Sequence, residues 1–465
     1  MAYYKLKSNI ALRGWERLPH VVCDLEQGAS GAVTADVFNI LSLCDGKTDM
    51  DSLWIAPQTR ELVRQMAKRN IVEECAEGAP LAEEQRYFVY PNRYMSGAHW
   101  SITGRCNYRC KHCFMSAPDA KFGELSTETC LHIVDELAAC GIAGVNLTGG
   151  EPLVHPGWWQ IVDRLAEHHI RIRQIYSNGA LVTSRLLDGL EERGMKPEFN
   201  MSFDGVGWHD WLRGVPGAER RVIEAFKLCH DRGFPTSAEL CLHRHNVGSL
   251  RESVNLLASL GVLHLKVSPV TPSGAWLTQD QQLTPSDEEV METYLAYVPH
   301  FFEDGAPLQL MLSGLFFSAK GGTHAQVPSA KYDGTERSRH CNICGSARSE
   351  LYISADGRAL PCMPMSGLSI EREFPKITEI GLREVLKDSV YMRWVGMTLG
   401  EYLEHNKQCA GCAYRYICGG GCRAGGVMRR GDYTGTDEAT CKIFKNGYYT
   451  RMKGLIDRYA PKDKK

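Results

Sequence analysis

Apolar residues in the central part of the chain alternate between short continuous runs and longer segments with helical spacing. The short runs are typical of buried strands, and apolar residues every three or four positions are typical of amphipathic helices. Six runs end near Gly104, Thr148, Ser177, Asp204, His243 and Pro269. Helices are predicted after them at 127–140, 158–168, 184–193, 219–232, 249–260 and 286–298. Six consecutive strand–helix units predict an α/β fold, an open partial (β/α)6 barrel of the TIM type with parallel strands.

The first 80 residues follow a different pattern. Short strands are predicted within 11–25, and helices at 33–43, 50–53 and 59–68, before an apolar strand at 71–72. Three short strands with three helices predict a small α+β domain of the winged-helix type. The next stretch, 81–97, is punctuated by polar, proline and glycine residues and is predicted to be a linker.

Composition narrows the class of protein. A chain of 465 residues has room for about two to four domains. Its 53 basic and 55 acidic residues give a net charge of −2, so neither nucleic acid nor a membrane is expected as a partner. The sequence shows no secretion signal and no apolar run long enough to span a bilayer, which predicts a cytoplasmic protein.

The eighteen cysteines favour metal binding in a reducing compartment over a disulfide framework. Eleven fall in spaced clusters. We expect the other seven to be small apolar core residues: Cys23, Cys44, Cys75, Cys130, Cys140, Cys229 and Cys241.

Three of the clustered cysteines, Cys106, Cys110 and Cys113, follow the first barrel strand with three and two residues between them. A loop with this spacing can ligate three irons of an iron–sulfur cube and leave the fourth iron without a protein ligand. On spacing alone, a zinc knuckle lacking a ligand or three unrelated thiols remain alternatives. The second strand ends in a glycine-rich turn: Gly149, Gly150, Glu151 and Pro152.

Together, the CX3CX2C loop and the GGEP turn resemble the radical S-adenosylmethionine (SAM) superfamily. The resemblance implies that the amine and carboxylate of SAM chelate the open iron, and that the GGEP backbone and Glu151 meet the amine. His112 departs from the aromatic residue that the family usually has beside the last cysteine. Further cofactor-binding residues are implied at the next strand ends: Ser177, Asn178, Ser202 and Asp204, with Arg213 pairing with the SAM carboxylate. Asn178 could instead form only a turn, and Arg213 could be only a surface charge.

The C-terminal third carries a denser cysteine array, which resembles the SPASM domain. The resemblance implies two auxiliary 4Fe–4S clusters, so that the chain would hold three in all. The first would take Cys341, Cys344, Cys362 and Cys422, and the second Cys409, Cys412, Cys418 and Cys441. One or two structural zinc sites are the alternative, because tetrahedral thiolate sites use similar CX2C spacing.

Residues 35–43, the CDGKT that follows and the later LVRQMAKRNIVEE resemble a RiPP recognition element, RiPP being a ribosomally made and modified peptide. Such an element binds a leader peptide by strand addition at an open sheet edge. The alternatives are a nucleic-acid-binding winged helix, which the neutral charge disfavours, and a domain that only packs.

These resemblances together imply a radical SAM maturase of the sactipeptide or ranthipeptide type. It would cleave SAM reductively to a 5′-deoxyadenosyl radical and join a cysteine sulfur to a carbon within a precursor peptide. The implied partners are that peptide with its leader and a reductant such as flavodoxin or ferredoxin. Alternatives are carbon–carbon crosslinking, formylglycine formation in sulfatases, and a non-enzymatic iron–sulfur or zinc scaffold. The expected domains are 1–80 (leader recognition), 81–97 (linker), 98–310 (barrel) and 311–465 (SPASM with a C-terminal helix).

Overall fold

The computed structural model describes residues 1–117 and 119–461. Its strands are β1 Tyr3–Leu6, β2 Ile10–Glu16, β3 Leu18–Asp24, β4 Ala29–Ala32, β5 Asp45–Asp49, β6 Val72–Cys75, β7 Phe88–Arg93, β8 Gly97–Thr103, β9 Gly144–Gly149, β10 Arg171–Ser177, β11 Glu198–Ser202, β12 Thr236–Leu242, β13 His264–Pro269, β14 Gln309–Leu312, β15 Phe316–Ser318, β16 Glu350–Ile353 and β17 Ala359–Leu360.

The helices are α1 Ala35–Ser42, α2 Pro57–Lys68, α3 Thr127–Ala139, α4 Trp158–Glu167, α5 Ser184–Glu192, α6 His209–Arg213, α7 Ala218–Asp231, α8 Leu250–Ser259, α9 Asp287–Glu303, α10 Gly345–Ser349, α11 Ile377–Ile380, α12 Leu382–Asp388, α13 Val390–Gly396, α14 Leu399–His405, α15 Lys407–Ala410, α16 Arg415–Cys418, α17 Arg423–Arg430, α18 Glu438–Lys445 and α19 Tyr448–Tyr459.

A ten-stranded sheet forms the centre of the molecule, in the order β15-β14-β13-β12-β11-β10-β9-β8-β16-β17. Strands β8 to β14 are parallel and lie in chain order, with helices between them. This arrangement confirms the predicted α/β fold with a large parallel sheet. The sheet remains open, because its two edge strands, β15 and β17, are at opposite ends of that order.

Local sequence explains where the barrel helices begin. The hydroxyls of Ser126, Thr183 and Ser286 accept hydrogen bonds from backbone N–H groups in the first turns of α3, α5 and α9. These bonds satisfy amides that have no partner within a helix. Each helix then buries one apolar face on the sheet, where Trp100 of β8 is fully enclosed. The strands are thereby fixed, and their carboxyl ends form one edge.

The C-terminal third is joined to this sheet. Strand β16 runs parallel to β8 and pairs Glu350 with Gly97, while β17 adds antiparallel to β16. The boundary expected at residue 310 falls inside β14. A helix, α19, follows near the end of the chain and packs on α9. The cysteine-rich region therefore lies beside the first barrel strand.

Residues 1–94, here called the N-terminal module, contain two small sheets in the orders β5-β1-β6 and β4-β3-β2-β7. The module docks where barrel strands begin. The indole of Trp15 donates to the carbonyl of Cys140 at 3.0 Å, just before β9, and Arg173 Nη2 of β10 donates to the carbonyl of Gly28 at 3.1 Å. The contact is therefore at the end of the parallel strands opposite to their carboxyl ends.

Two expectations for the module need correction. The helix predicted at 50–53 is wrong: the segment forms turns, and Arg60 Nη2 donates to the carbonyls of Ser52 and Ile55 at 3.0 and 2.9 Å instead. The stretch expected to be a linker contains β7, which pairs parallel to β2. The winged-helix assignment remains a prediction. In the part of the chain that the structure describes, no helix combines the length and apolar character needed to cross a membrane.

Candidate functional site

A cavity of about 180 Å³ lies at the carboxyl ends of the central strands. Nine of the residues that line it are among those predicted: Cys106, Cys110, Cys113, Gly149, Gly150, Ser177, Asn178, Ser202 and Arg213. Three other predicted residues, Glu151, Pro152 and Asp204, are buried but do not line it. Residues from five separate stretches of sequence are thus brought to one place.

The three cysteines are half-buried in an irregular loop that follows β8. Neighbouring elements hold this loop by its backbone: the amide of Lys111 donates to Leu212 at 2.9 Å, and the carbonyl of Cys113 accepts from Ala275 at 2.9 Å. Burial raises the pKa of the Cys106 thiol to about 12. A thiol in this setting is protonated until a metal displaces the proton.

The two glycines of the turn bring β9 against the end of β8. A side chain on Gly149 would collide with the carbonyl oxygen of Thr103, and one on Gly150 with that of Arg105. The amides of Gly150 and Glu151 donate to these same carbonyls, each at 2.9 Å. Glycine is needed here because backbone packs on backbone, and this packing holds the cysteine loop beside Glu151.

The carboxylate of Glu151 is fully buried. It accepts hydrogen bonds from the Ser177 hydroxyl at 3.0 and 3.1 Å, from the Asn178 amide at 2.8 Å and from the Leu153 amide at 3.3 Å. Burial nevertheless raises its pKa to about 7. Glu151 therefore fixes the end of β10 and carries a charge that a nearby cation would stabilise.

A second buried carboxylate, Asp204, lies below the cysteine loop. It accepts from Arg213 Nε at 2.6 Å and from the Cys241 amide at 3.1 Å, and the amide of Asp204 donates to His209 Nδ1 at 3.0 Å. Burial alone would raise the pKa of Asp204, but the Arg213 guanidinium holds it well below its usual range. Arg213 Nη1 also reaches Cys110 Sγ at 3.7 Å. Arg213 thus already has a carboxylate partner in the protein, and a role toward SAM remains a prediction.

His112 lies between these groups, in the loop. Burial, and then the nearby Arg213, lower the pKa of His112 to about 3, so its imidazole is neutral at physiological pH. The loop thus keeps an uncharged ring beside Cys113.

Sequence reasoning missed several residues that also line the cavity, among them Tyr176, Asn200, Glu239 and Met363. A signal for Asn200 was present, because Asn200 and Ser202 alternate with the buried Phe199 and Met201 along β11. Met363 had no such signal. It follows Cys362 and brings the C-terminal region to the cavity wall.

In the C-terminal region, Cys409, Cys412, Cys418 and Cys441 line one closed space of about 20 Å³. Cys409 is buried, and its sulfur lies 3.3 Å from the hydroxyl of Tyr402. Burial raises the pKa of Cys441 to about 11, and the nearby Cys409 and Cys418 add to the shift. These are the four cysteines predicted for the second auxiliary cluster.

The other predicted set is more open. Burial raises the pKa of the Cys362 thiol, and its neighbours Cys422 and Cys344 raise it further. Cys341 is exposed and lies near Tyr332 together with Cys344. Among residues 1–117 and 119–461, no three His, Cys, Asp or Glu side chains are close enough together to hold a single metal ion. Of the seven cysteines expected in the core, five are buried and Cys75 and Cys241 are half-buried.

The profile of the Radical SAM superfamily matches residues 100–257, from β8 into α8. This stretch is a radical SAM domain, and the protein is an enzyme. Such a domain implies a 4Fe–4S cluster and SAM as cofactors. The donor set fits them, because three thiols on one side of a cavity supply three cluster ligands and leave one iron open to a small molecule.

Three curated relatives are similar to most of the chain. An AdoMet-dependent heme synthase of Methanosarcina barkeri is 25% identical over 364 residues, which are 75% of this chain and 96% of the relative. A PqqA peptide cyclase of Granulibacter bethesdensis is 27% identical over 346 residues, 73% of this chain and 85% of the relative. The mycofactocin maturase MftC of Mycobacterium ulcerans is 26% identical over 333 residues, 70% of this chain and 82% of the relative.

Among solved structures, the fold is similar to that of SuiB from Streptococcus suis. The complex of SuiB with S-adenosylmethionine aligns with a TM-score of 0.63 and 14% identity over 94% of this chain and 100% of SuiB. The complex with the precursor peptide SuiA aligns with a TM-score of 0.62 and 13% identity over 95% of this chain and 100% of SuiB. At this level of identity, the likeness shows a shared fold.

Proposed function

We propose that this enzyme is a radical SAM maturase that installs an intrapeptide thioether in a ribosomally made precursor peptide. The observation that carries the proposal is the cavity between the cysteine loop and the polar strand face. It has three thiols on one side and Tyr176, Asn200 and Glu239 on another, so a substrate group can lie beside the cofactor. When bound, the cofactors supply a 5′-deoxyadenosyl radical, which can remove a hydrogen atom from an unactivated carbon.

The relatives support a peptide as the substrate. Two of them are named for peptide cyclisation or maturation, and SuiB has been solved with a precursor peptide. The match to SuiB covers 94% of this chain, so it extends over most of the N-terminal module. A counterpart of the module in a structure with a peptide supports leader recognition as its role.

The proposed reaction balances as an oxidation. A C–H and an S–H bond of the peptide are replaced by a C–S bond, and 5′-deoxyadenosine takes the hydrogen atom from carbon. The thiol loses a proton, and one electron is left over. We propose that two auxiliary 4Fe–4S clusters, held by the C-terminal cysteine sets, accept that electron. Met363, next to Cys362, lies at the cavity wall, so the C-terminal region reaches the cavity. The initial electron would come from a reductant such as flavodoxin or ferredoxin.

The test uses anaerobically reconstituted protein with SAM, dithionite and a cysteine-containing precursor peptide. We expect a product that is two hydrogens lighter and has one cysteine that iodoacetamide no longer alkylates. A product that is equally light but fully alkylated would instead indicate a carbon–carbon crosslink. Conversion of a cysteine or serine to an aldehyde would indicate formylglycine formation.

We further propose that the N-terminal module is a RiPP recognition element that binds the leader. The module contacts the barrel through the buried Trp15, so its deletion would also uncover barrel surface. Leader binding is therefore the better measurement. A labelled leader should bind both residues 1–94 and the whole chain saturably. Absence of saturable binding to either would contradict this role.

The heme synthase relative supports a second candidate, a radical SAM reaction on a tetrapyrrole. That relative matches 75% of this chain, whereas SuiB matches 94%. The peptide proposal therefore accounts for more of the molecule. Incubation with a decarboxylatable porphyrin distinguishes the two, because only the second candidate predicts a modified porphyrin.

A further inference from the structure

A groove of about 540 Å³ lies between the N-terminal module and the C-terminal region, apart from the SAM cavity. The module contributes the turn between β2 and β3 and the end of β7, and the C-terminal region contributes α10, α12, α13 and α14. Its cationic residues come from both: Arg17, Arg93, Arg348, Lys387 and Arg393. The whole chain is nearly neutral, so this is a local concentration of positive charge.

The acidic residues of the groove do not neutralise it. Glu401 accepts from the amide and hydroxyl of Thr398 at 2.7 and 2.8 Å, as the capping residue of α14. Asp388 is the other acidic residue that lines the groove. Five arginine or lysine side chains therefore line the groove together with two carboxylates.

Three of the arginines have no carboxylate within ion-pair distance in the part of the chain described by the structure: Arg17, Arg348 and Arg393. Arg93 pairs with Glu16 at 3.2 Å, and Lys387 with Glu384 at 2.8 Å. Unpaired guanidinium groups are available for a ligand, and their planar donors match carboxylates in particular.

Arg348 is the most informative of these groups. It is half-buried, and Nη1 donates to the carbonyl of Tyr94 at 2.9 Å, which orients the side chain. Burial lowers the pKa of Arg348, and nearby Arg93 lowers it further. A partly enclosed cation beside another cation is destabilising on its own, and an anion in the groove would relieve it.

We propose that this groove binds an acidic stretch of the peptide substrate through Arg348 and Arg393. That the stretch belongs to the substrate depends on the function proposed above, while the binding of carboxylates does not. The groove is large enough for several side chains and carries cations on both of its sides, which suits a flexible peptide better than a single small anion or the flat face of a folded redox protein. The substrate would then contact both the N-terminal module and the cysteine-rich region.

The test measures binding of a fluorescein-labelled hexaglutamate peptide to the reconstituted full chain by anisotropy. We expect saturable binding that weakens with added salt, and no binding of hexaglutamine. The double variant Arg348→Gln/Arg393→Gln should bind at least about tenfold more weakly, because each charged hydrogen bond contributes on that order. The variant Arg185→Gln/Arg220→Gln removes the same charge from exposed helix surfaces and should bind like the wild type.

Equal weakening in both double variants would overturn the proposal, as would hexaglutamate binding that neither variant changes. An acidic flavodoxin that binds through Arg348 and Arg393 while hexaglutamate does not would identify the groove as a docking site for an electron carrier instead. Iron content and uncoupled SAM cleavage, measured on the same samples, should match the wild type. Loss of peptide modification with hexaglutamate binding intact would count against the proposed function and leave the groove assignment standing.

Discussion

The two enclosed cysteine sites of the molecule differ in what lies beside the thiols. Cys106, Cys110 and Cys113 border a cavity of about 180 Å³ whose other walls are strand ends and polar side chains. Cys409, Cys412, Cys418 and Cys441 surround a space of about 20 Å³ closed by short helices and loops. The first site has three thiols and free space, and the second has four thiols and almost none.

This difference shows how cysteine can serve two kinds of metal centre, one that reacts and one that does not. A metal centre that reacts needs an open coordination position and a place for its substrate, whereas one that stabilises a fold or carries electrons is best closed. At both sites, the number of cysteines matches the space beside them: three thiols border an open cavity, and four surround a space that is almost filled. The set around Cys362 is intermediate, because Cys341 and Cys422 are exposed.

The largest effect is expected at the open site. Changing Cys106, Cys110 and Cys113 together to Ala should abolish 5′-deoxyadenosine formation and lower the iron content from about twelve to about eight atoms per chain, because one cluster of four irons loses its ligands. Chromatography and an iron assay measure both. Cys75→Ala, outside the clusters, serves as the control. Residual SAM cleavage above the no-enzyme level would contradict the assignment.

At the closed site, Cys409→Ala should lower the stability of the fold more than it lowers SAM cleavage. The variant is expected to lose about four irons and to melt several degrees lower, because a metal bound only by the native state stabilises that state. The rate of SAM cleavage, divided by the amount of the cluster at Cys106, Cys110 and Cys113, should stay unchanged. This result distinguishes Cys409→Ala from the variant in which those three cysteines are changed to Ala. Stoichiometric zinc in the wild type, with little iron in this region, would reject the auxiliary-cluster assignment.

The barrel was predictable because its pairing is sequential. Each strand lies beside the next one in the chain, so apolar runs and helix signals specify both elements and topology. Functional residues then follow from the rule that they lie at the carboxyl ends of parallel strands. Cys106, Gly150 and Ser177 follow this rule: each lies at the end of a different strand or just after it, and all three line one cavity.

The N-terminal module was less predictable because its pairing is not sequential. Strand β7 lies beside β2, more than seventy positions earlier, and its side chains are mostly exposed, so no alternation marked it. Within the helix predicted at 50–53, Leu53 is almost fully exposed, so its apolar character gave a false helix signal. The carbonyls of that segment bind Arg60, a contact that local periodicity does not report.

Beneath the open site, Asp204→Asn should destabilise the protein by about 3 kcal/mol, because it leaves the buried Arg213 without its counter-charge. Urea unfolding under anaerobic conditions measures the change. Asp188→Asn removes an exposed partner of Arg232, which keeps Glu191, and should destabilise the protein far less. Equal effects of the two substitutions would show that the buried pair has no special role at the open site.

A smaller effect is expected for Glu151→Gln, and its pH dependence tests the role in SAM binding. Burial raises the pKa of Glu151 to about 7, so the carboxyl is mostly protonated at pH 6 and mostly charged at pH 8. Only the charged form attracts an amine. The variant should therefore bind SAM about tenfold more weakly than the wild type at pH 8 and nearly equally at pH 6. Equal losses at both pH values would indicate a structural role through Ser177 and Asn178.

The smallest effect is expected for Cys341→Ser. This variant tests whether the set around Cys362 holds its metal with three thiols, like the open site, or with four, like the closed site. Cys341 is exposed, while Cys344 and Cys422 lie close enough to Cys362 to raise its pKa. Cys341 is not among the thiols that raise the pKa of Cys362, so we expect it to contribute least to holding the cluster, and the variant should keep its iron and its melting temperature. Its reduced electron paramagnetic resonance spectrum should change, because one iron would exchange a thiolate for oxygen or solvent. Cys362→Ser is the matched comparison and should lose about four irons. If Cys341→Ser loses as much iron as Cys362→Ser, all four thiols are required, and this set resembles the closed site despite its exposure.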